Sequence, residues 1–269
     1  MTSEDHNPID FLIVDDEDLI HVFVSRMLRS SGYRNILCVS SANEALRVMR
    51  SGNVKFLITD WLMPKMTGIE LVRVVREDPQ LFSIPIIMLT AVSTVAAVMC
   101  AIEEGSDGYM VKPFTADKLM KTISSIMQKR ANPLYPKISE MTRLKLVGDF
   151  TGAIAVGKEI LKVSRDPNVL FSLGECLKQN NQYQDAVEVL KESARAEKCG
   201  KSNNLLGKLL MDHGEQEQGI EHLELASQQC PLLQKRKVDL AEAFFQAGRE
   251  SEAETVVEGL LKSDPTNLI

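Results

Sequence analysis

Short apolar runs alternate with amphipathic stretches over the first 130 residues. Such runs are typical of strands buried on both faces of a sheet. Five of them occur, at 11–14, 36–39, 56–59, 84–89 and 109–111. Between them, apolar residues recur at spacings of three and four, which indicates helices over 19–30, 42–51, 68–76, 94–104 and 115–129. The pattern predicts an α/β fold with a doubly wound, five-stranded parallel sheet.

Chemically reactive side chains follow four of the five predicted strands. Asp15 and Asp16 follow the first strand, Asp60 the third, Thr90 the fourth and Lys112 the fifth. Because the carboxyl ends of parallel strands share one edge, we expect these groups to converge. Clustered carboxylates repel unless a cation joins them, and Mg²⁺ prefers oxygen ligands. Asp60 is the best candidate for a nucleophile toward phosphorus, with Thr90 and Lys112 able to bind phosphoryl oxygens.

Each of these residues also has an ordinary structural interpretation. An aspartate after a strand is usually a helix cap. Asp18 is the expected cap of the first helix, which leaves Asp15 and Asp16 for another role. A lysine before a proline, as at Lys112, is usually a solvated turn residue. The position of all these groups at one sheet edge favours a functional interpretation.

Four segments resemble the response-regulator receiver domain, and the chemotaxis type most of all. They are FLIVDDE at 11–17, FLITDWLMPKMTGIEL at 56–71, PIIMLTA at 85–91 and GSDGYMVKPF at 105–114. The resemblance implies a flavodoxin-like receiver domain over 9–130, preceded by an N-terminal tail, 1–8.

The resemblance also implies the parts of a phosphorylation site. Asp60 would be the phosphoacceptor. Mg²⁺ would be held by the side chains of Asp16 and Asp60 and by the backbone carbonyl of Leu62, with Asp15 acting mainly through water. Apart from phosphorylation and dephosphorylation of its own Asp60, no enzymatic activity is implied.

A conformational switch is implied in the same way. Thr90 and Lys112 would contact the phosphoryl group, and the bond from Lys112 to Pro113 would be cis. Thr90 would move toward the phosphoryl group while Tyr109 turns inward. This movement would remodel the face made by helix 94–104, the fifth strand and the fifth helix. The alternative for Tyr109 is an ordinary buried aromatic residue.

From residue 136 onward the pattern is helical and periodic. Small residues recur at Ala153, Ala186, Gly219 and Ala253, spaced 33, 33 and 34 apart, and a turn signal precedes each. This period resembles tetratricopeptide repeats, and we count about four over 134–266. We expect an all-α repeat domain at 137–269, joined to the first domain by a proline-containing linker, 131–136.

Stacked helical repeats offer a concave groove to peptides and carry no catalytic chemistry of their own. Asn204 and Lys208, four residues apart on one helix face, could line that groove or could be solvated. The alternative is an array that serves only as a spacer or for self-association, so a homodimer stays open.

Composition excludes several other classes of protein. The net charge is −6 and neither half is basic, which argues against a nucleic-acid partner. No apolar run approaches the ~18 residues that a membrane span needs, and the first ten residues do not resemble a signal peptide. The five cysteines are scattered, so we expect them to be reduced and the protein to be cytoplasmic.

The leading hypothesis is therefore a response regulator that is phosphorylated by a sensor histidine kinase or a phosphotransfer protein. Its repeat domain would bind a protein or peptide that the sequence does not identify. The alternative is a phosphate sink, or an inhibitor or adaptor acting on its own sensor kinase. A phosphatase of the haloacid-dehalogenase type would need an acid where Leu62 stands.

Overall fold

The computed structural model describes residues 9–91, 101, 105–196, 200–231 and 233–263. The chain divides into two compact units, Met1–Tyr135 and Pro136–Ile269. The predicted tail, 1–8, and most of the predicted helix 94–104 lie outside the described residues.

The first unit is built on a parallel sheet. Its strands are β1 (Phe11–Val14), β2 (Ile36–Val39), β3 (Leu57–Asp60), β4 (Ile86–Thr90) and β5 (Gly108–Val111). They are ordered β2-β1-β3-β4-β5, and every pair is parallel. The predicted fold class is confirmed. Strand order reverses beside β1, and this reversal opens a crevice at the carboxyl ends of β1 and β3.

Helices flank the sheet among the described residues of this unit. They are α1 (Asp18–Ser30), α2 (Ala42–Ser51), α3 (Gly68–Glu77) and α4 (Ala116–Arg130). Thr67 and Glu70 form a capping box at the start of α3. The expected cap of α1 is wrong, because Asp18 is the first helical residue and Glu17 occupies the cap position without a side-chain bond.

The sheet separates two apolar cores. Leu12, Leu57 and Met88 are fully buried in the core that contains α2 and α3 residues. Their chain neighbours Ile13 and Ile58 are fully buried in the core that contains α1 and α4 residues. Because side chains alternate across a strand, a sheet covered on both faces requires the continuous apolar runs seen in the sequence.

The second unit is all helical and repetitive, as the periodicity predicts. Its helices are α5 (Tyr135–Leu146), α6 (Phe150–Leu161), α7 (Pro167–Gln179), α8 (Tyr183–Ala196), α9 (Lys201–Asp212), α10 (Gln216–Gln229), α11 (Gln234–Gln246) and α12 (Glu250–Ser263). They form four successive helix pairs. Helix α5 begins within the range predicted as a linker, 131–136.

The turn inside each helix pair contains a left-handed residue. Gly148, Asn181, Gly214 and Gly248 have φ of 82°, 56°, 83° and 74°. The following N–H group bonds back to a carbonyl five residues earlier, as expected of a helix C-terminal motif. These bonds run from Asp149 to Leu144, Gln182 to Leu177, Glu215 to Leu210 and Arg249 to Phe244.

Small residues allow the paired helices to approach closely. Ala153, Ala186 and Ala253 are completely buried. A Cβ atom on Gly174 would lie 2.5 Å from the Leu190 side chain. The period in the sequence therefore reflects a repeated packing contact.

Candidate functional site

Four of the predicted site residues lie at the carboxyl edge of the sheet. Asp15 directly follows β1, Asp60 ends β3, Thr90 ends β4 and Lys112 directly follows β5. Strand register pairs Asp60 with Leu89 and so aligns the ends of β3 and β4. The first three side chains are buried among the strand ends.

Lys112 joins two of the carboxylates. Its Nζ atom lies 2.8 Å from Asp15 Oδ2 and 2.5 Å from Asp60 Oδ1. Its backbone N–H donates to the Thr90 carbonyl at 2.7 Å, which fixes where the side chain begins. The bond from Lys112 to Pro113 is cis. The ammonium therefore forms a charge-assisted bridge across the crevice.

Backbone N–H groups bind the other oxygen of each carboxylate. Leu62 N donates to Asp60 Oδ2 at 2.8 Å, and Glu17 N donates to Asp15 Oδ1 at 2.9 Å. Sequence reasoning missed both donors, because a backbone amide carries no side-chain signal. Their effect is to hold both carboxylates in one orientation.

Burial and the Lys112 bonds act in opposite directions on the pKa values of Asp60 and Lys112. Burial raises the pKa of Asp60, and its hydrogen bond from Lys112 opposes this only in part. Burial alone would lower the pKa of Lys112, but the bonds to Asp15 and Asp60 outweigh burial and raise it. Two ionised carboxylates against one ammonium leave an excess of negative charge at the edge.

Asp16 and Leu62 lie beside this buried cluster, and both are exposed. Among the described residues, no three His, Cys, Asp or Glu side chains are grouped as a metal site. The oxygen chemistry of Asp15, Asp16, Asp60 and the Leu62 carbonyl nevertheless suits a hard cation such as Mg²⁺, and the excess negative charge favours one.

Gly68 packs against the backbone of the central aspartate. A Cβ atom at this position would lie 1.8 Å from the Asp60 carbonyl oxygen. The Gly68 N–H donates to the Trp61 carbonyl at 2.9 Å, which closes the loop between β3 and α3. Only glycine allows this loop to return so closely to the strand.

Tyr109 lies on β5, opposite Met88 of β4, three residues before Lys112. It is half-buried and packs against the core that contains α2 and α3 residues. Burial raises the pKa of its hydroxyl.

Comparison with known proteins agrees with this arrangement. The family model described as response regulator receiver domain matches residues 11–124. Chemotaxis protein CheY of Pseudomonas aeruginosa is 41% identical over 118 residues, which are 44% of this chain and 95% of that protein. The chain belongs to the response-regulator receiver family. Chemotaxis protein CheY-3 of Vibrio cholerae is 36% identical over 118 residues, again 44% of this chain, and 91% of that protein.

Solved structures of receiver proteins also match the first unit. Chemotaxis response regulator CheY4 of Vibrio cholerae is 32% identical, with a TM-score of 0.42 over 45% of this chain and 99% of that chain. A putative response regulator from Chloroflexus aurantiacus is 33% identical, with a TM-score of 0.43 and the same coverage.

The helical unit matches a different family. Residues 147–226 match the model for anaphase-promoting complex, cyclosome, subunit 3. Together with the helix pairs, this match supports a tetratricopeptide-like repeat region that follows the receiver domain in the chain. None of the helices in the described ranges has the length and apolar character to cross a membrane.

Proposed function

We propose that this response regulator is phosphorylated on Asp60 with Mg²⁺ and controls a protein–protein interaction through its helical repeats. The observation that supports this proposal most directly is the bridge from Lys112 Nζ to Asp15 and Asp60 at the carboxyl edge of the sheet. We place the receiver domain at 9–130, the linker at 131–136 and the repeat domain at 137–269.

The proposed reaction is transfer of a phosphoryl group to a carboxylate oxygen of Asp60. That oxygen attacks the phosphorus of a phosphohistidine or an acyl phosphate. The P–O bond to Asp60 forms as the P–N or P–O bond of the donor breaks, and the donor leaves with that electron pair. Lys112 and the Thr90 hydroxyl bind the phosphoryl oxygens, so that positioning and charge neutralisation lower the barrier.

The proposed Mg²⁺ site uses the side chains of Asp16 and Asp60 and the Leu62 carbonyl, with Asp15 acting mainly through water. When bound, the ion neutralises charge on the transferring phosphoryl group. The Asp16 side chain is exposed and makes no contact with Lys112 among the bonds of the bridge, so it can bind an ion without dismantling that bridge.

The proposed switch couples the site to β5. Thr90 moves toward the phosphoryl group and Tyr109 turns further inward. Thr90 ends β4 and Tyr109 lies on β5, which pairs with β4, so a movement of Thr90 is passed to Tyr109 across the two paired strands. The proposed partners are a sensor histidine kinase or phosphotransfer protein, and a protein or peptide held by the repeats.

Intact mass after incubation with acetyl phosphate and Mg²⁺ tests the proposal. We expect one added phosphoryl group on the wild type, none on Asp60→Asn and none in EDTA. Asp18→Asn, an exposed change of the same mass, should still be modified. A folded wild type that gains no phosphoryl group from either acetyl phosphate or a phosphorylated kinase would refute it.

Partner capture in both states then separates the two hypotheses for output. Repeats that bind a non-kinase protein in only one state support the adaptor. Repeats that bind only the sensor kinase support the phosphate sink or kinase inhibitor.

A further inference from the structure

Ion pairs connect the leading helices of successive repeats. In each pair, a lysine on one leading helix binds an acid on the next. The pairs are Lys145 with Glu175 at 2.7 Å, Lys178 with Asp212 at 3.4 Å, and Lys208 with Asp239 at 2.5 Å. Each of these lysines is therefore already paired with an acid of the protein itself.

A pocket of about 180 Å³ lies at the end of this series. Lys178, Lys208, Asp212, Asp239 and Glu242 supply its charged lining, and apolar side chains such as Leu223 supply the rest. Both lysines are paired, whereas no ion pair of Glu242 occurs within the described ranges. Two ammonium groups against three carboxylates leave one negative charge.

Asp239 is the buried member of the charged pocket lining. Its side chain is 5% exposed and binds both Lys208 and the Asn204 amide, whose Nδ2 donates to Asp239 Oδ2 at 2.9 Å. Asn204 is itself only 6% exposed, and its Oδ1 is buried with no hydrogen-bond partner in the described part of the chain. The Asn204 bond and the Lys208 ion pair therefore hold Asp239 in place, and Glu242 is the carboxylate of the lining that carries no ion pair in the described ranges.

We propose that this pocket binds one basic side chain, an arginine or a lysine, of a partner polypeptide. The inference rests on the proposed role of the repeats in binding a protein. A volume of about 180 Å³ is smaller than that of ordinary small-molecule pockets and suits a single long side chain. Its apolar stem would contact Leu223 and Ala243 while its charge lies beside Glu242. An acidic ligand would find no free lysine among the charged lining residues.

Nuclear magnetic resonance of the full, unphosphorylated chain provides the test. The probes are N-acetyl-arginine methylamide, its neutral citrulline analogue and N-acetyl-glutamate methylamide. We expect the arginine probe to shift resonances of α9 and α11 saturably. We expect it to bind about two- to fivefold more tightly than citrulline, which is the range of one exposed ion pair. Equal binding of arginine and citrulline, tighter binding of glutamate, or no saturable shift would overturn the proposal.

Glu242→Gln is the matched variant, because it removes the charge of an exposed side chain and leaves Asp239 intact. It should abolish most of the preference for arginine over citrulline. Glu254→Gln, an exposed change on α12 outside the pocket, should leave that preference unchanged. Phosphoryl uptake on Asp60 is measured by mass on the same samples. This measurement distinguishes a pocket that does not bind the arginine probe from a receiver domain that is not phosphorylated.

Discussion

Lys112 Nζ lies 2.5 Å from Asp60 Oδ1, although the two residues are 52 positions apart in the chain. They meet because β4 lies between β3 and β5 and all three strands end at one edge. The ammonium stabilises carboxylates that burial would otherwise disfavour. It also places a positive charge beside the proposed phosphoacceptor before any phosphoryl donor arrives.

Removal of this charge should destabilise the receiver domain. Lys112→Ala leaves Asp15 and Asp60 buried without a counter-charge, and we expect a loss of about 3 kcal/mol in unfolding free energy at pH 7. Fluorescence of Trp61, the single tryptophan, reports receiver unfolding in urea. Lys118→Ala, on the exposed surface of α4, should change stability by less than about 0.5 kcal/mol. A similar small effect of Lys112→Ala would contradict the bridge.

The raised pKa of Asp60 gives a signed pH dependence. Because burial raises this pKa above its ordinary value of 3.8, the folded state holds the proton more tightly than the unfolded state. The stability that Asp60 contributes is complete below the ordinary value and is lost as pH rises through the raised value. Asp60→Asn should therefore be more stable than the wild type at pH 7, and the difference should shrink toward pH 4. Urea unfolding of both proteins at pH 7 and at pH 4 measures this difference in stability. A difference that grows on acidification would contradict a raised pKa of Asp60.

Gly68 should not tolerate a side chain. A Cβ atom 1.8 Å from the Asp60 carbonyl oxygen must displace the loop or the strand end. Gly68→Ala should lose about 2 kcal/mol or more of receiver stability and most phosphoryl uptake. Gly259→Ala, on α12 with open space at its Cβ position, should be neutral or stabilising. Equal behaviour of the two variants would show that the close approach is unimportant.

Asp16 should affect ion binding more than stability, because its side chain is exposed. Asp16→Asn should weaken Mg²⁺ affinity about tenfold or more and change unfolding free energy by less than about 0.5 kcal/mol. Titration of Trp61 fluorescence with Mg²⁺ measures the affinity, and Asp18→Asn is the control. Unchanged affinity in Asp16→Asn would remove this residue from the proposed metal site.

The repeat turns should discriminate between glycine and other residues. Gly214→Ala should destabilise the repeats by about 1 kcal/mol, because φ of 83° is strained for alanine. Asn181→Gly should be neutral or stabilising at the equivalent turn, where φ is 56°. Circular dichroism at 222 nm during urea unfolding follows the helices. Insensitivity of both turns would argue against this common geometry.

Element type and order could be predicted because burial on two faces and helical amphipathicity each leave a periodic pattern. The residues at which strands and helices end could be predicted less well. Strand β3 extends to Asp60 and β4 to Thr90, one residue beyond the predicted ends. Strand length is set by hydrogen bonding to the neighbouring strands, which the local sequence does not encode. The misassigned cap at Asp18 has the same origin, since the path of the chain leaving β1 decides which residue begins α1.

The parallel sheet, the repeat period and the identity of the side chains at the carboxyl edge all follow from patterns in the amino-acid sequence. The contacts from Lys112 to Asp15 and Asp60, and those from Asn204 and Lys208 to Asp239, appear only in the folded chain. Periodicity is a local property of the chain and is visible in one dimension. An ion pair between distant segments depends on distances of a few ångströms, which strand register and helix packing set.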